Sequence, residues 1–255
     1  MVLLASLGNT SLVLSIYNDR QEIASFKTMS DKFKSAEEYQ DSILQFLRLQ
    51  NISPDQIEGE ILESIVPSLT KRIEKAINAI FKTQCLVFNS KLKTGLAIRM
   101  DHPQEVGTNL LAAGLGAINT YDEDCLVICL STCLTFTITS KDKQFLGGSI
   151  FPGLRESISH MCETSAQLME IDLTRPNKLI AKSTKECINS GVVKGYMLLI
   201  ESMASEIEKE YKKPLKKIIT GNDANIIKDF MPYSYTYDPN VLFDGLYDIY
   251  MKNRG

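Results

Sequence analysis

One arrangement of strands and turns occurs twice in this chain, once in each half. In both halves an apolar strand-like segment is followed by a turn of small polar residues, a second strand, a charged turn and a third strand. The predicted strands are residues 1–7, 12–17 and 22–27 in the first half, and 126–130, 133–139 and 144–146 in the second. Helices are predicted after each set, at 36–49, 106–117, 184–211 and 241–251 among others. The pattern predicts a duplicated α/β protein with a first domain at 1–117 and a second at 118–255.

A duplicated βββαβα unit resembles the RNase H-like domains of the acetate-kinase, sugar-kinase, Hsp70 and actin superfamily. The resemblance implies that the two domains face a central cleft. It also implies that the small turn of each half grips nucleotide phosphates, because small residues let backbone amides approach an anion. The candidate ATP-binding residues are therefore Gly8, Asn9, Thr10, Ser131 and Thr132.

The composition is that of an ordinary globular protein and excludes several classes of function. The chain has 255 residues, 44% hydrophobic and 23% charged, and a net charge of −3. This near balance creates no general field that would recruit nucleic acid or an anionic membrane surface. No apolar run approaches the length of about 18 residues that a membrane-spanning helix needs. The first residues are predicted to form a strand rather than a signal peptide, so a cytoplasmic protein is expected.

The two predicted phosphate-binding turns lack acidic residues. No Asp or Glu occurs at residues 1–18, and none occurs at 126–141. Mg²⁺ prefers oxygen ligands, above all carboxylates. Without an anionic ligand near either turn, a bound Mg²⁺ would lose its main electrostatic anchor.

Longer motifs point to one family. Residues 101–110 read Asp-His-Pro-Gln-Glu-Val-Gly-Thr-Asn-Leu and resemble the substrate-binding motif Asp-Asn-Pro-x-Glu-Val-Gly-Ala-Asp-Arg of type III pantothenate kinases. Residues 6–10 and 129–137 resemble the family's phosphate-binding motifs Asp-x-Gly-Asn-Thr and Asp-Phe-Gly-Thr-Ala-Thr-Thr-Phe-Asp. Further matches occur, in the family's order, at residues 93–95, 147–153, 182–184 and 220–222. The resemblance covers essentially the whole chain.

The resemblance implies ATP-dependent phosphorylation of pantothenate in coenzyme A biosynthesis, with Mg²⁺ and a monovalent cation. It implies a dimer whose substrate pockets lie at the interface, and substrate-binding roles for Gly107, Asn109 and Thr184. In the family this threonine reaches pantothenate bound in the neighbouring subunit. Thr184 also fits a helix N-cap, and the two roles are compatible. The glycines of residues 147–153 fit either a functional role or a purely conformational one.

The residues that perform the family's chemistry are replaced. Four family aspartates correspond here to Ser6, Asn109, Cys129 and Thr137. An amide cannot accept a proton from an alcohol at neutral pH as a carboxylate can, so Asn109 cannot act as the base. The family arginine that follows is Leu110, which cannot pair with a carboxylate. The sequence therefore predicts no catalytic residue, no metal ligand, and at most weak ATP binding.

Three hypotheses follow from this pattern of loss. In the preferred hypothesis the chain is a subunit that is inactive by itself and forms a heteromer with an intact pantothenate kinase paralogue. A homodimer is the other possible assembly. The second is an active kinase with relocated acids, for which the candidates are Asp101, Glu105, Asp122, Glu123 and Asp124. The third is a regulatory or accessory protein that senses nucleotide or pantothenate.

Overall fold

The fold was analysed in a computed structural model that describes residues 1–254. Its strands are β1 (Val2–Leu7), β2 (Ser11–Asn18), β3 (Gln21–Met29), β4 (Gly59–Ser64), β5 (Leu86–Val87), β6 (Ala97–Ile98), β7 (Cys125–Leu130), β8 (Cys133–Ser140), β9 (Gln144–Pro152), β10 (Lys216–Thr220) and β11 (Tyr235–Tyr237). Its α-helices are α1 (Ala36–Leu49), α2 (Pro67–Asn78), α3 (Thr108–Tyr121), α4 (Leu154–Thr164), α5 (Thr184–Tyr211), α6 (Ala224–Ile227) and α7 (Val241–Asn253).

The chain forms two compact units. The first contains residues 1–96, 101–116 and 242–255, and the second contains residues 97–100 and 117–241. The C-terminal helix α7 returns to the first unit, a step that the repeat pattern did not predict.

The sheet of the first unit has the order β3-β2-β1-β4-β5. Strand β1 pairs antiparallel with β2 and parallel with β4. Helices α1 and α2 pack on this sheet through a buried cluster that includes Leu3, Leu14, Ile43 and Ile73. This is one complete βββαβα unit.

The sheet of the second unit repeats that topology. Its order is β11-β10-β7-β8-β9-β6, in which β7 pairs antiparallel with β8 and parallel with β10. The strands β9-β8-β7-β10-β11 of this sheet correspond in order to β3-β2-β1-β4-β5 of the first. The core of the second unit is also apolar and includes Leu126, Phe136 and Ile200. The duplicated RNase H-like α/β fold is thus confirmed. Strand β6 is an addition that pairs with β9.

Helix α1 illustrates how local sequence sets an element. Ser35 accepts a hydrogen bond from the Glu38 amide at 3.1 Å, and the Glu38 side chain accepts one from the Ser35 amide at 2.7 Å. This capping box satisfies two amides at the helix start. The predicted helix at 36–49 is confirmed at both ends.

Candidate functional site

The first small turn joins β1 to β2 in the first unit. The Gly8 amide donates to the Ser11 carbonyl at 2.9 Å, and the Ser30 hydroxyl donates to the Gly8 carbonyl at 2.7 Å. The side chains of Asn9 and Thr10 are exposed. A Cβ atom added at Gly8 would lie 3.5 Å from its nearest neighbour, which is ordinary contact. The fold alone does not explain a glycine at position 8.

The second small turn joins β7 to β8 in the second unit. The Ser131 amide donates to the Cys133 carbonyl at 3.1 Å, and the Thr132 carbonyl accepts from the Gly153 amide at 3.0 Å. Ser131 and Thr132 are half-buried. A Cβ atom at Gly153 would lie 2.2 Å from the Ser131 carbonyl oxygen. A glycine is therefore required at 153 for the chain to pass so close to this turn.

A buried acid lies beside the first turn. Glu63, near the end of β4, is only 1% exposed and is the register partner of Ser6 on β1. The Ser6 hydroxyl donates to one of its oxygens at 2.8 Å, and the hydroxyl of Thr108, the first residue of α3, donates to the other at 2.8 Å. Burial raises the pKa of Glu63, and the two hydroxyl donors oppose that shift.

The three other predicted site residues in this group, Cys129, Thr137 and Asn109, have uncharged side chains. Cys129, on β7, is partly exposed as a residue, and burial of its thiol raises its pKa to about 12. Thr137, on β8, is buried and its hydroxyl faces the Val127 carbonyl at 3.5 Å. Asn109 is half-buried in the first turn of α3, and its amide oxygen lies 2.7 Å from the point that a Cβ of Gly107 would occupy. None of these groups supplies a carboxylate oxygen.

Thr184 is the first residue of α5 and is exposed. The prediction that it caps this helix is wrong. Ser183 is the N-cap, and its hydroxyl accepts a hydrogen bond from the Glu186 amide at 3.3 Å. Serine and threonine are both common N-cap residues, so two adjacent candidates differ too little in sequence to fix the first residue of the helix. The Thr184 hydroxyl is not needed for capping.

The acids near the start of β7 lie far from the second turn. Asp124 accepts hydrogen bonds from the Lys141 amide and the Tyr211 hydroxyl, both at 2.8 Å, and Asp122 pairs with the Lys141 ammonium group at 2.8 Å. Strand β7 then runs to Leu130 before the turn. At about 3.3 Å per residue, its length separates these acids from the turn by roughly 20 Å. Asp122, Glu123 and Asp124 all lie at this distance and cannot replace a ligand there. Asp101 and Glu105 are exposed and precede α3.

Comparison with known proteins decides the family. The family model described as type III pantothenate kinase matches residues 2–206. The chain belongs to the type III pantothenate kinase family. Ser6, Asn109, Cys129 and Thr137 are all uncharged, and of these four side chains Ser6 is hydrogen-bonded to a carboxyl group.

Solved structures agree with this fold. The chain is similar to a conserved protein from Campylobacter jejuni assigned to the Baf family of transcriptional activators, with 21% identity, a TM-score of 0.59 and 98% coverage of both chains. It is similar to the activator of 2-hydroxyisocaproyl-CoA dehydratase from Clostridium difficile, solved with bound ADPNP, with 9% identity, a TM-score of 0.54 and coverage of 98% and 95%. It is also similar to an MreB of Spiroplasma citri bound to AMPPNP, with 10% identity, a TM-score of 0.51 and coverage of 98% and 96%. At such identities the likeness concerns the fold alone.

The described residues contain neither a membrane-spanning helix nor a cluster of metal-ligating side chains. Within residues 1–254, no helix combines the length and apolar character needed to cross a bilayer. No group of three or more His, Cys, Asp or Glu side chains in that range is arranged to hold a metal ion. The side chains of Ser6, Cys129 and Thr137 near the two turns do not fit Mg²⁺ either, because hydroxyl and thiol groups are poor ligands for it. Glu63 is buried, and each of its carboxyl oxygens accepts a hydroxyl hydrogen bond.

Proposed function

We propose that this chain is a non-catalytic subunit of a heteromeric pantothenate kinase, which acts in the cytoplasm with an intact paralogue. The observation that carries the proposal is the selective loss of charge. Ser6, Asn109, Cys129 and Thr137 stand where the family has aspartates, and Asn109 cannot accept the proton of the pantothenate hydroxyl. Phosphoryl transfer depends on such charges for positioning and neutralisation. In this proposal the partner supplies them.

The residues that remain fit a supporting role. The turn at residues 8–10 keeps exposed polar side chains and a glycine that sterics do not demand. We infer that this turn and Ser131–Thr132 retain weak ATP binding that does not depend on Mg²⁺. Thr184 is exposed and free of the capping role, so its hydroxyl is available to reach pantothenate in a partner subunit, as the family resemblance implies.

Thr184 gives a direct test of the supporting role. In a complex reconstituted with an intact paralogue, Thr184→Ala is expected to raise the KM for pantothenate about tenfold, the value of one hydrogen bond to a bound ligand. Steady-state kinetics of the complex at saturating ATP measures this. The matched control is Thr164→Ala, an exposed threonine at the end of α4 that bonds its own helix at His160.

Equal kinetics for the Thr184 and Thr164 variants would contradict a role for Thr184 at the partner's pocket. A sensor or accessory protein, the other class of function open to this fold, would show ligand binding by the isolated chain and no complex with the paralogue. An active kinase with relocated acids would turn over pantothenate without a partner.

A further inference from the structure

Two departures from the family motifs contact the same buried side chain. Ser6 stands where the family has aspartate, and Thr108 stands where the motif has alanine. Both are hydroxyl residues, and both donate to Glu63, one to each carboxyl oxygen at 2.8 Å. An alanine at position 108 could not make this bond. The two replacements are therefore explained together by Glu63, although they lie about a hundred positions apart in the chain.

A second acid in this cluster would be costly. Glu63 is 1% exposed, and each of its oxygens needs a donor because a buried unpaired acceptor is costly. An aspartate at position 6 would bring a second carboxyl group to about the place of the Ser6 hydroxyl. Two carboxylates at hydrogen-bonding distance in a buried site repel strongly. Serine at position 6 and glutamate at position 63 thus fit as a pair.

We propose that the acid beside the first turn has been exchanged between neighbouring strands, from position 6 on β1 to Glu63 on β4. Glu63 then acts as a positioning residue for the substrate motif at residues 101–110. Through its hydrogen bond to Thr108 it holds the start of α3, where Asn109 lies, against the ends of β1 and β4 beside the first turn. The Glu63 carboxyl group is buried, and each of its oxygens accepts an internal hydrogen bond. This inference concerns the first unit alone and does not depend on the heteromer.

A pair of substitutions tests the exchange. Ser6→Asp, which restores the family residue, is expected to lower the midpoint of thermal unfolding by about 5 °C through carboxylate repulsion. Glu63→Gln alone is expected to change it little, since glutamine can still accept and donate hydrogen bonds. The double variant, Ser6→Asp with Glu63→Gln, is expected to recover most of the loss because the amide can donate to the new carboxylate. Additive effects, or an unchanged midpoint in Ser6→Asp, would overturn the exchange.

Hydrogen exchange tests the positioning role. The amides of Leu110 and Leu111 both donate to the Gly107 carbonyl in the first turn of α3. Thr108→Ala is expected to speed their exchange about tenfold, since it frees the helix start from Glu63. The control is Thr83→Ala, which removes the hydroxyl that binds Glu60, another buried acid on β4. The proposal is supported if exchange at Leu110 and Leu111 becomes faster in Thr108→Ala but not in Thr83→Ala. Equal changes in both variants, or none in Thr108→Ala, would overturn it.

Discussion

The purified chain alone is expected to phosphorylate pantothenate at less than about one-thousandth of the rate of a family member that has all four aspartates. A positioned base contributes about 10²- to 10⁴-fold by itself, and Asn109 cannot act as one. Ser6, Cys129 and Thr137 also offer no carboxylate that could hold Mg²⁺ against the phosphates. ADP release in a coupled assay, with the intact relative under the same conditions as the reference, measures the difference.

Restoring one acid provides the control for this result. Asn109→Asp returns the base, and it is expected to leave the isolated chain inactive because the three other positions remain uncharged. Turnover by the unmodified chain that persists through a second purification step would contradict the expectation. In that case the relocated-acid hypothesis would regain its place, with Asp101 and Glu105 as its remaining exposed candidates.

Replacement of Gly148 by alanine is expected to destabilise the protein by about 3 kcal/mol, which is the upper range for forcing an atom into a packed site. A Cβ atom at this position would lie 1.7 Å from the carbonyl oxygen of Phe136 on the neighbouring strand β8. The obstacle is backbone, so β8 and β9 must separate where they pair. The expected fall in the unfolding midpoint is about 6–12 °C for a domain of this size.

Gly191→Ala is the matched control for Gly148. Gly191 lies on the exposed side of α5, and an added Cβ atom there meets nothing within 4 Å. Alanine is favoured over glycine inside a helix by about 0.5–1 kcal/mol, so this variant is expected to gain stability slightly. If Gly148→Ala were as stable as the unmodified chain, the adjacent glycines Gly147 and Gly148 could not be attributed to close strand packing. A functional role for it would then be the better explanation.

The architecture could be predicted from sequence because its signals are local. Strand alternation, the small turns and the Ser35–Glu38 capping box all act within a few residues, and both sheets have the strand order that the repeat implies. The return of α7 to the first unit and the pairing of β6 with β9 depend on distant contacts, which no local pattern encodes.

The candidate site was predictable only in part, for the same reason. The sequence indicates which family acids are missing, since each absence is visible in its own motif. It does not indicate that Glu63 lies against Ser6, because 57 residues separate them and a strand pairing brings them together. The available signal was Glu63 itself, a charged residue that directly follows Ile61 and Leu62 in the sequence. A charged side chain in such a place is buried only with partners, and Ser6 and Thr108 are those partners.

In the proposed function, this chain contributes to pantothenate phosphorylation only as part of a complex. The most direct measurement is the pantothenate kinase activity of the chain co-expressed with an intact paralogue and purified by a tag on this chain alone, compared with each chain by itself. We expect the paralogue to co-purify and the complex to have activity that neither chain shows alone. A paralogue that is fully active without this chain, together with a tagged chain that purifies alone and inactive, would contradict it.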